Sequence, residues 1–302
     1  MIKGHEYLVS IIIPTRNRAN LVGRAIRSVL NQTYSNIECI VVDGNSTDNT
    51  EDVVKRIQDS RIKFLKQKIN LNASSAINEG LGIAKGDYLS VLDDDDELLP
   101  FKIEKQLSKF ESVGKNVGLV YCWMDYYDNK GTLIYEAHPL LRGKIFKDVL
   151  VSERICGTPT FLFSKEVYNT VGGWDSHMSF GADGEFIRRV SKAYEIELVP
   201  EVLVRVNIGH EYNRMSNLNE SKDYLIAVFA SKRIYHKYLN DFKQYPEQHS
   251  LYLSKIAYYY SHIKRNKLKT LKYIIISILI YPLGMGKYKS IIRSFRNIFS
   301  QK

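Results

Sequence analysis

The chain has 302 residues, of which 44% are hydrophobic and 25% are charged. A chain of this length and composition can bury a substantial core, which excludes a disordered protein and favours one large domain with an appendage. The three cysteines, Cys39, Cys122 and Cys156, lie too far apart for a metal-binding pair and are too few for a disulfide framework. This cysteine content fits a reducing compartment.

The net charge of +10 is concentrated in the last quarter of the chain. Residues 222–302 carry 16 Lys or Arg and three acidic residues, whereas the preceding residues have a small net negative charge. Because the positive charge is confined to one segment, no nucleic-acid partner is expected, and the basic segment needs an explanation of its own.

The first hundred residues alternate short apolar runs with amphipathic segments. Strands are predicted at Val9–Ile13, Ile37–Val42, Ile62–Gln67 and Tyr88–Leu92, and helices at Leu21–Asn31, Thr50–Ser60 and Ser74–Ala84. The first apolar run is short and ends at a proline, so a strand is expected there and not a signal peptide. This alternation predicts a mostly parallel, doubly wound α/β sheet. Ligands bind such sheets beyond the carboxyl ends of the strands.

The remainder of the chain divides into two parts. Residues Val117–Glu136 predict a hairpin or edge strands around a DNKG turn, and Ser164–Val171 predicts a helix. From about Leu218, Tyr, Lys and Leu recur at helical spacing. We predict one domain over residues 1–217, with halves of about 1–100 and 101–217, and a basic helical extension over residues 218–302.

Five consecutive acidic residues, Asp93 to Glu97, follow the fourth predicted strand. Like charges in a partly desolvated cleft repel one another unless a cation is present. Hard oxygen ligands suit Mg²⁺ or Mn²⁺, which commonly bind a few carboxylates together with substrate phosphates. A solvated loop that caps the next helix is the alternative, and the segment by itself leaves both interpretations open.

Two further aspartates follow the second predicted strand. Asp43 lies at the tip of a central strand, where a carboxylate can accept hydrogen bonds from a base or a ribose. Asp48 lies just before the Thr50–Ser60 helix, and a turn or N-cap role is an equal alternative for it.

Five segments resemble, in order, the signature blocks of family-2, inverting-type glycosyltransferases with the GT-A fold. They are VSIIIPTRNR, QTYSNIECIVVDGNSTDNT, NLNASSAINEGLGIAKGDYLSVLDDDDEL, VGGWD and GADGEFIRRV, within residues 7–215. The ordered set is far more specific than any one block. The resemblance implies metal-dependent transfer of a sugar from a nucleotide diphosphate sugar, with a UDP-sugar expected. The implied acceptor is a glycan or a polyprenyl-linked saccharide in bacterial surface-polysaccharide synthesis.

The resemblance also implies a donor site. The matching nucleotide-binding positions are Pro14, Thr15, Arg16, Asn17, Asp43, Asp48, Asn78, Asp93 and Asp94. Asp43 would contact the base, Asp93 would hold the ribose or a metal-bound water, and Asp95 would ligate Mn²⁺ or Mg²⁺ between the phosphates. Asp96 would support this ligand shell. His210 is a further candidate metal ligand, with a surface or hydrogen-bonding role as the alternative.

Asp183 matches the catalytic base of the family. Inverting transfer needs a carboxylate that takes the proton of the acceptor hydroxyl as its oxygen attacks the anomeric carbon. Helix capping by Asp183 and Glu185 is the structural alternative. Trp174, Asp175 and Glu185 are predicted to contact the acceptor, and a core position is the alternative for Trp174.

Three positions depart from the family pattern. Ala182 occupies a position where the family usually has Glu, Ile77 one where it often has Arg, and Gly44 one where many relatives have a second Asp. The acceptor, phosphate and base contacts of those side chains are therefore not assumed.

The basic segment has the pattern of an interfacial anchor. Tyr273–Leu283 is uncharged but too short to span a bilayer, and basic residues precede it. Apolar residues recur at helical spacing farther on, at Ile291, Ile292, Phe295, Ile298 and Phe299. This pattern predicts a cytoplasmic protein, peripheral on the inner face of the plasma membrane. The alternative is a helical subdomain that packs on the core or forms a homodimer.

Two other functions compete with glycosyl transfer. A nucleotidyltransferase also uses an α/β sheet with acidic metal ligands, but PTRNRAN lacks the expected glycine-rich phosphate loop. A non-catalytic, membrane-docked carbohydrate-binding module is the second alternative, and the retained aspartates argue against it.

Overall fold

The computed structural model describes residues 7–114, 116–152, 155–209, 220–263 and 266–282. The chain forms two compact units. Among the described residues, the sheet unit comprises 7–114, 116–146, 155–177 and 182–209, and the helical unit comprises the rest. The predicted domain boundary at residue 217 lies outside the described residues and stays a prediction.

The sheet unit contains one nine-stranded sheet within the described part of the chain. Its strands are β1 (Val9–Thr15), β2 (Ile37–Asp43), β3 (Ile62–Lys66), β4 (Tyr88–Val91), β5 (Glu97–Leu98), β6 (Val117–Tyr127), β7 (Leu133–Ala137), β8 (Leu162–Ser164) and β9 (Glu195–Asn207). The spatial order is β3-β2-β1-β4-β8-β6-β9-β5, and β7 pairs with β6. The pairs among β1 to β4 are parallel, as is β6 with β9.

Helices connect the strands of this sheet. They are α1 (Ala19–Leu30), α2 (Thr50–Lys55), α3 (Ala73–Ile83), α4 (Lys102–Ser112), α5 (Phe146–Val149), α6 (Lys165–Val171) and α7 (Ala182–Ala193), with a 3₁₀ turn at Thr158–Thr160. Of these, α5 belongs to the helical unit from residue 147 onward. The four strands and three helices predicted in the first hundred residues are confirmed, with shifted ends. The α/β fold class is confirmed too.

The central strands lie in the core. Every residue of β2 is buried, and in β1 only Pro14 is partly exposed, as expected for strands covered on both faces. Helix α3 packs closely on β1, because a Cβ placed on Gly80 would lie 2.6 Å from Ile12 Cγ2. The glycine therefore permits a helix-to-strand contact that any side chain would prevent.

The helical unit includes α8 (Ser221–Lys237), α9 (Leu239–Gln244), α10 (Pro246–Ser261) and α11 (Lys267–Ile280). Helices α10 and α11 are joined by two buried serines: Ser250 Oγ donates to the Ser277 carbonyl at 2.8 Å, and Ser277 Oγ donates to the Ser250 carbonyl at 2.9 Å. Ala257 of α10 and Ile274 of α11 form a buried apolar contact, and Tyr273 packs against it. The predicted helical character of this segment is confirmed for its described part.

In the described parts of the chain, no helix combines the length and apolar character that crossing a bilayer requires.

Candidate active site

Three parallel strands bring the predicted donor residues to one edge of the sheet. Strands β1 and β2 are paired so that Thr15 lies opposite Asp43. On the other side of β1, the Leu92 amide donates to the Ile12 carbonyl at 2.9 Å, so Asp93 begins just past the end of β4. The segments after β1, β2 and β4 therefore meet at the carboxyl edge, where α/β sheets bind ligands.

The loops after β1 and β2 hold each other in place. The Asn17 amide donates to Ser46 Oγ at 2.8 Å, and the Thr47 amide donates to Asn17 Oδ1 at 2.8 Å. Asn17 and Asn45 have positive φ angles of 50° and 61°, which asparagine tolerates better than most residues. This reciprocal bonding fixes the loop that carries Pro14, Arg16 and Asn17 beside Asp43.

Asp43 is fully buried at the end of β2. The Ser46 amide donates to both of its carboxylate oxygens, at 3.1 and 3.2 Å, and Ser46 Oγ donates to Oδ1. The carboxylate is thus held in one orientation by its own loop.

Asp48 caps two helices at once. Its Oδ2 accepts from the Ala19 amide at the start of α1, at 3.2 Å, and its Oδ1 accepts from the Thr50 amide and hydroxyl at the start of α2. Burial works against the ionised form, but these hydrogen bonds outweigh it and lower the pKa of Asp48. The structure therefore favours the capping alternative over the predicted nucleotide contact.

Asp93, Asp95 and Asp96 form a cluster after β4 whose carboxylate oxygens lie within 4.8 Å of one another. Asp95 and Asp96 are buried and Asp93 is partly exposed. Three hard oxygen donors at this separation fit Mg²⁺ or Mn²⁺, with open positions for phosphate or water. We call these three residues the aspartate cluster.

Arg18 lies against the aspartate cluster. Its Nη1 is 2.7 Å from Asp94 Oδ1 and 3.1 Å from Asp95 Oδ2. Burial raises the pKa of Asp94 to about 6, while the positive charge of Arg18 opposes that rise. Asp94 therefore faces a protein cation, and its nucleotide contact stays a prediction.

Two side chains that sequence analysis did not select hold the backbone of the cluster. Arg24 Nη2 donates to the Asp95 carbonyl at 2.7 Å, and Asn207 Nδ2 donates to the same carbonyl at 3.1 Å. The Asn207 amide also donates to Asp96 Oδ1 at 3.1 Å. Asn207 ends β9, more than a hundred residues along the chain, so only the pairing of β9 reveals it. Arg24 and Arg18 could have been suspected, because both follow the strand-end loop after β1.

Asn78 and Trp174 are engaged with each other. Asn78 Nδ2 donates to the Trp174 carbonyl at 2.7 Å, and the Trp174 amide donates to Asn78 Oδ1 at 2.8 Å. The Trp174 ring is buried and stacks on Phe186 at a centroid distance of 4.2 Å. The structure thus favours the core alternative for Trp174. Asn78 holds the VGGWD segment through both ends of its side-chain amide, and its nucleotide contact stays a prediction.

Glu185 is buried with Arg189, and its acceptor contact stays a prediction. Arg189 Nη2 lies 2.8 Å from Glu185 Oε2, and Arg189 also donates to the carbonyls of Val171, Gly172 and Gly173. Only 1% of the Glu185 side chain is exposed. A carboxylate this enclosed orients Arg189, which in turn anchors the loop before Trp174.

Asp183 is the second residue of α7 and is partly exposed. Its Oδ1 accepts from the Gly184 amide at 2.9 Å, within the first turn of the helix. Asp175 Oδ1 accepts from the His177 amide at 3.0 Å in a local turn. His210 lies outside the described residues, and its role as a metal ligand stays a prediction.

Comparison with known proteins identifies the family. The model of "Glycosyl transferase family 2" matches residues 10–172, more than half of the chain. The chain belongs to glycosyl transferase family 2. It is therefore a glycosyltransferase, and this family membership decides against the nucleotidyltransferase alternative.

Curated relatives agree with this assignment. An uncharacterised glycosyltransferase of Rickettsia typhi is 32% identical over 222 residues, covering 72% of this chain and 69% of the relative. A UDP-Glc:α-D-GlcNAc-diphosphoundecaprenol β-1,3-glucosyltransferase of Escherichia coli is 39% identical over 127 residues, covering 42% of this chain and 49% of that enzyme.

The fold of the chain is similar to that of a solved glycosyltransferase structure. It is a mannosyltransferase of Pyrobaculum calidifontis in complex with GDP-Man and Mn²⁺, with a TM-score of 0.59 and 15% identity. The match covers 99% of this chain and 88% of the mannosyltransferase chain. The sheet described above is accordingly a GT-A fold, as the resemblance implied.

Proposed function

We propose that this glycosyltransferase moves one sugar from a UDP-sugar to a polyprenyl-diphosphate-linked saccharide, with inversion and with Mn²⁺ or Mg²⁺ at the aspartate cluster. The aspartate cluster at the carboxyl edge, one strand away from the buried Asp43, carries this proposal. The order β2-β1-β4 separates a base-reading carboxylate from a metal-binding cluster by one strand, and a nucleoside diphosphate can extend from one to the other.

A divalent cation at the cluster would neutralise the diphosphate and stabilise it as a leaving group. The protein supplies the orientation: Arg24 and Asn207 fix the Asp95 backbone, and Asn207 also holds the Asp96 carboxylate. Asp43 offers a fixed acceptor to the base. The E. coli relative that uses UDP-Glc supports the choice of a UDP-sugar, and its diphosphoundecaprenol acceptor supports a lipid-linked saccharide.

Asp183 is the proposed general base. The Asp183 carboxylate at the start of α7 is partly exposed and accepts a hydrogen bond from the Gly184 amide of the same helix, so it can accept a proton from an acceptor hydroxyl. Deprotonation would accompany attack of that oxygen on the anomeric carbon, opposite the leaving diphosphate. Asp175 remains a proposed acceptor contact.

The helical unit offers a surface suited to a lipid-linked acceptor. Thr270, Ile274 and Ser277 of α11 are buried, whereas Leu268, Ile275, Ile278 and Leu279 are exposed. The exposed residues recur at helical spacing, and Lys267, Lys269 and Lys272 are exposed on the same helix. An apolar stripe with lysines fits peripheral binding to an anionic leaflet, consistent with a location on the cytoplasmic face of the membrane.

A transfer assay tests this function. Purified chain would be incubated with Mn²⁺, a panel of UDP-sugars and GDP-sugars, and polyprenyl-diphosphate-linked saccharides, with product linkage read by NMR. The expected result is β-linked product from an α-linked UDP-sugar. Asp183→Asn is expected to abolish transfer while donor binding is kept. Glu166→Gln, which changes an exposed residue of α6, serves as the control. Retained α-configuration, or full activity of Asp183→Asn, would contradict the proposal.

A further inference from the structure

A second group of metal-ligand side chains lies on the β6–β7 hairpin and includes none of the residues assigned above. It consists of Asp125 in β6, Glu136 in β7 and His138 just beyond β7. One ligand atom from each lies within 4.8 Å of the other two. We propose that Asp125, Glu136 and His138 bind a transition-metal ion of the Zn²⁺ class, in a site that we call the hairpin site.

The strand register sets two carboxylates against each other. Asp125 and Glu136 are direct partners in the β6–β7 pairing, and like charges in this position destabilise a sheet. Asp125 is also 7% exposed, so its charge is largely removed from water. A cation shared by the two carboxylates would convert this repulsion into binding.

The nearby arginine does not supply that cation. Arg205 lies opposite Asp125 in the β6–β9 register, but its guanidinium is 4.0 Å from the centre of the Tyr127 ring and its Nε donates to Asn207 Oδ1 at 3.1 Å. Its ion-pair contact in the described structure is with Glu97, at 3.9 Å. Asp125 is left with His138, whose Nε2 lies 2.8 Å from Asp125 Oδ1.

The imidazole of His138 is held in position. Trp123 stacks on it at a centroid distance of 4.6 Å and an interplanar angle of 25°, and Trp123 Nε1 donates to the Pro139 carbonyl at 2.9 Å. Two ligand atoms on a tetrahedral ion with 2.0 Å bonds are about 3.3 Å apart, so His138 and Asp125 need to separate by only a few tenths of an ångström. The exposed side of Glu136 leaves room for water as a fourth ligand.

The donor set distinguishes the hairpin site from the aspartate cluster. Three carboxylates favour Mg²⁺ or Mn²⁺, whereas one imidazole with two carboxylates favours Zn²⁺ and Co²⁺. The chain therefore offers two sites of different selectivity on one sheet. The proposal does not depend on the sugar donor or acceptor, because metal binding at the hairpin needs neither.

Co²⁺ binding to the Asp95→Asn chain tests the hairpin site with the aspartate cluster impaired. We expect the chain to bind one equivalent of Co²⁺. The bound ion should show visible d–d bands typical of nitrogen and oxygen ligands, and Zn²⁺ should displace it. Adding His138→Gln should weaken Co²⁺ binding tenfold or more, whereas His177→Gln, an exposed control, should not. Equal Co²⁺ affinity in the His138→Gln chain, or no bound Co²⁺ in its parent, would overturn the proposal.

A second measurement leaves the hairpin ligands unchanged and uses the Asp95→Asn chain, so that Co²⁺ at the aspartate cluster does not contribute. Co²⁺ bound at the hairpin site would quench the fluorescence of Trp123, and Zn²⁺ would reverse that quenching. Trp123→Phe should abolish the quenched component while Co²⁺ still binds. Quenching that persists in Trp123→Phe, or emission unaffected by saturating Co²⁺, would place the metal elsewhere and refute the hairpin site.

Discussion

Arg18 and Asp95 lie 3.1 Å apart, so a protein cation contacts a residue of the carboxylate group proposed to hold the metal. The same Arg18 nitrogen contacts Asp94 at 2.7 Å. Arg18 follows the loop after β1, and it therefore links the proposed nucleotide loop to the aspartate cluster. A metal ion that enters the cluster must share Asp95 with this guanidinium.

Removing the Arg18 charge should strengthen metal binding in the absence of donor. Arg18→Gln eliminates a repulsion that we take as about 1 kcal/mol in this half-buried setting, equivalent to roughly fivefold in affinity. Titration calorimetry with Mn²⁺ would measure the change. Arg18→Lys keeps the charge and should bind Mn²⁺ much like the parent chain. Weaker Mn²⁺ binding by Arg18→Gln would mean that Arg18 orients the carboxylates and does not compete with the cation.

The Asn78–Trp174 contact should be coupled to Gly173. A Cβ at Gly173 would lie 2.1 Å from Asn78 Oδ1, so Gly173→Ala displaces the Asn78 side chain. Asn78→Ala alone should lower the free energy of unfolding by about 1–3 kcal/mol, because two backbone groups of Trp174 lose their partner. In the Asn78→Ala background, Gly173→Ala should cost much less than in the parent.

Urea unfolding of the four chains would give this coupling energy. Gly172→Ala is the matched control: Gly172 has a φ of 77°, so alanine is strained there whether or not Asn78 is present. Gly172→Ala should lower the free energy of unfolding by the same amount in the parent chain and in the Asn78→Ala chain. Additive costs for Asn78→Ala and Gly173→Ala would contradict the proposed contact.

Lys102 should make the stability of the chain depend on alkaline pH. Its side chain is fully buried in α4, with Nζ 3.2 Å from Ser90 Oγ, and burial lowers its pKa to about 8. The unfolded chain keeps the proton to about pH 10.5, whereas the folded chain releases it near pH 8. The unfolded state binds more protons in this window, so this lysine makes stability rise with pH from about 8 to 10.5.

Lys102→Met should remove that rise and increase the free energy of unfolding at pH 7 by about 1–3 kcal/mol. The Phe161 carbonyl keeps its bond from Ser90 Oγ, at 2.7 Å, so the substitution leaves no orphaned acceptor there. Denaturant unfolding at pH 7, 9 and 10 would be compared with Lys105→Met, a more exposed lysine of the same helix. This account would be contradicted if Lys102→Met lowered the free energy of unfolding at pH 7. It would also be contradicted if the free energy of unfolding rose from pH 7 to 10 as much in Lys102→Met as in Lys105→Met.

The exposed apolar stripe of α11 should determine membrane binding. Replacing Leu268, Ile275 and Leu279 by Gln should reduce flotation with vesicles containing anionic lipid by tenfold or more, because apolar area and charge attraction act together. Ile134→Gln with Leu140→Gln alters exposed apolar residues of the sheet unit and should leave flotation unchanged. Undiminished flotation of the α11 variant, with a normal circular dichroism spectrum, would favour the packing or homodimer alternative.

The N-terminal half of the sheet could be predicted because its strands carry their own signals. The apolar runs that stop just before Pro14, Asp43 and Asp93 predict strand ends within two residues of the observed ends. The predicted helix Leu21–Asn31 begins two residues earlier in the structure, at Ala19, whose amide bonds to the distant Asp48. Helix α4 was missed, although Ile103 and Leu107 at helical spacing are buried and could have indicated it.

Residues whose role depends on tertiary partners could not be assigned from motifs. Trp174, Asn78 and Glu185 were predicted at the site, but ring stacking, a reciprocal amide contact and a buried ion pair use their functional groups. Asn207 was not selected, because a single Asn at the end of a strand is common and only its contact with Asp95 reveals its position. Motif spacing thus predicted which strand-end segments meet at the carboxyl edge and left the direction of individual side chains open.

Mn²⁺-dependent binding of UDP by Asp95→Asn is the most direct test of the central claim that the aspartate cluster and a divalent cation hold the donor diphosphate. Calorimetry would compare the parent chain, Asp95→Asn and the hairpin variant Asp125→Asn, each with Mn²⁺ and with EDTA. The parent and Asp125→Asn should bind UDP at least tenfold more tightly with Mn²⁺, and Asp95→Asn should lose that enhancement. An undiminished Mn²⁺ effect in Asp95→Asn would contradict the claim.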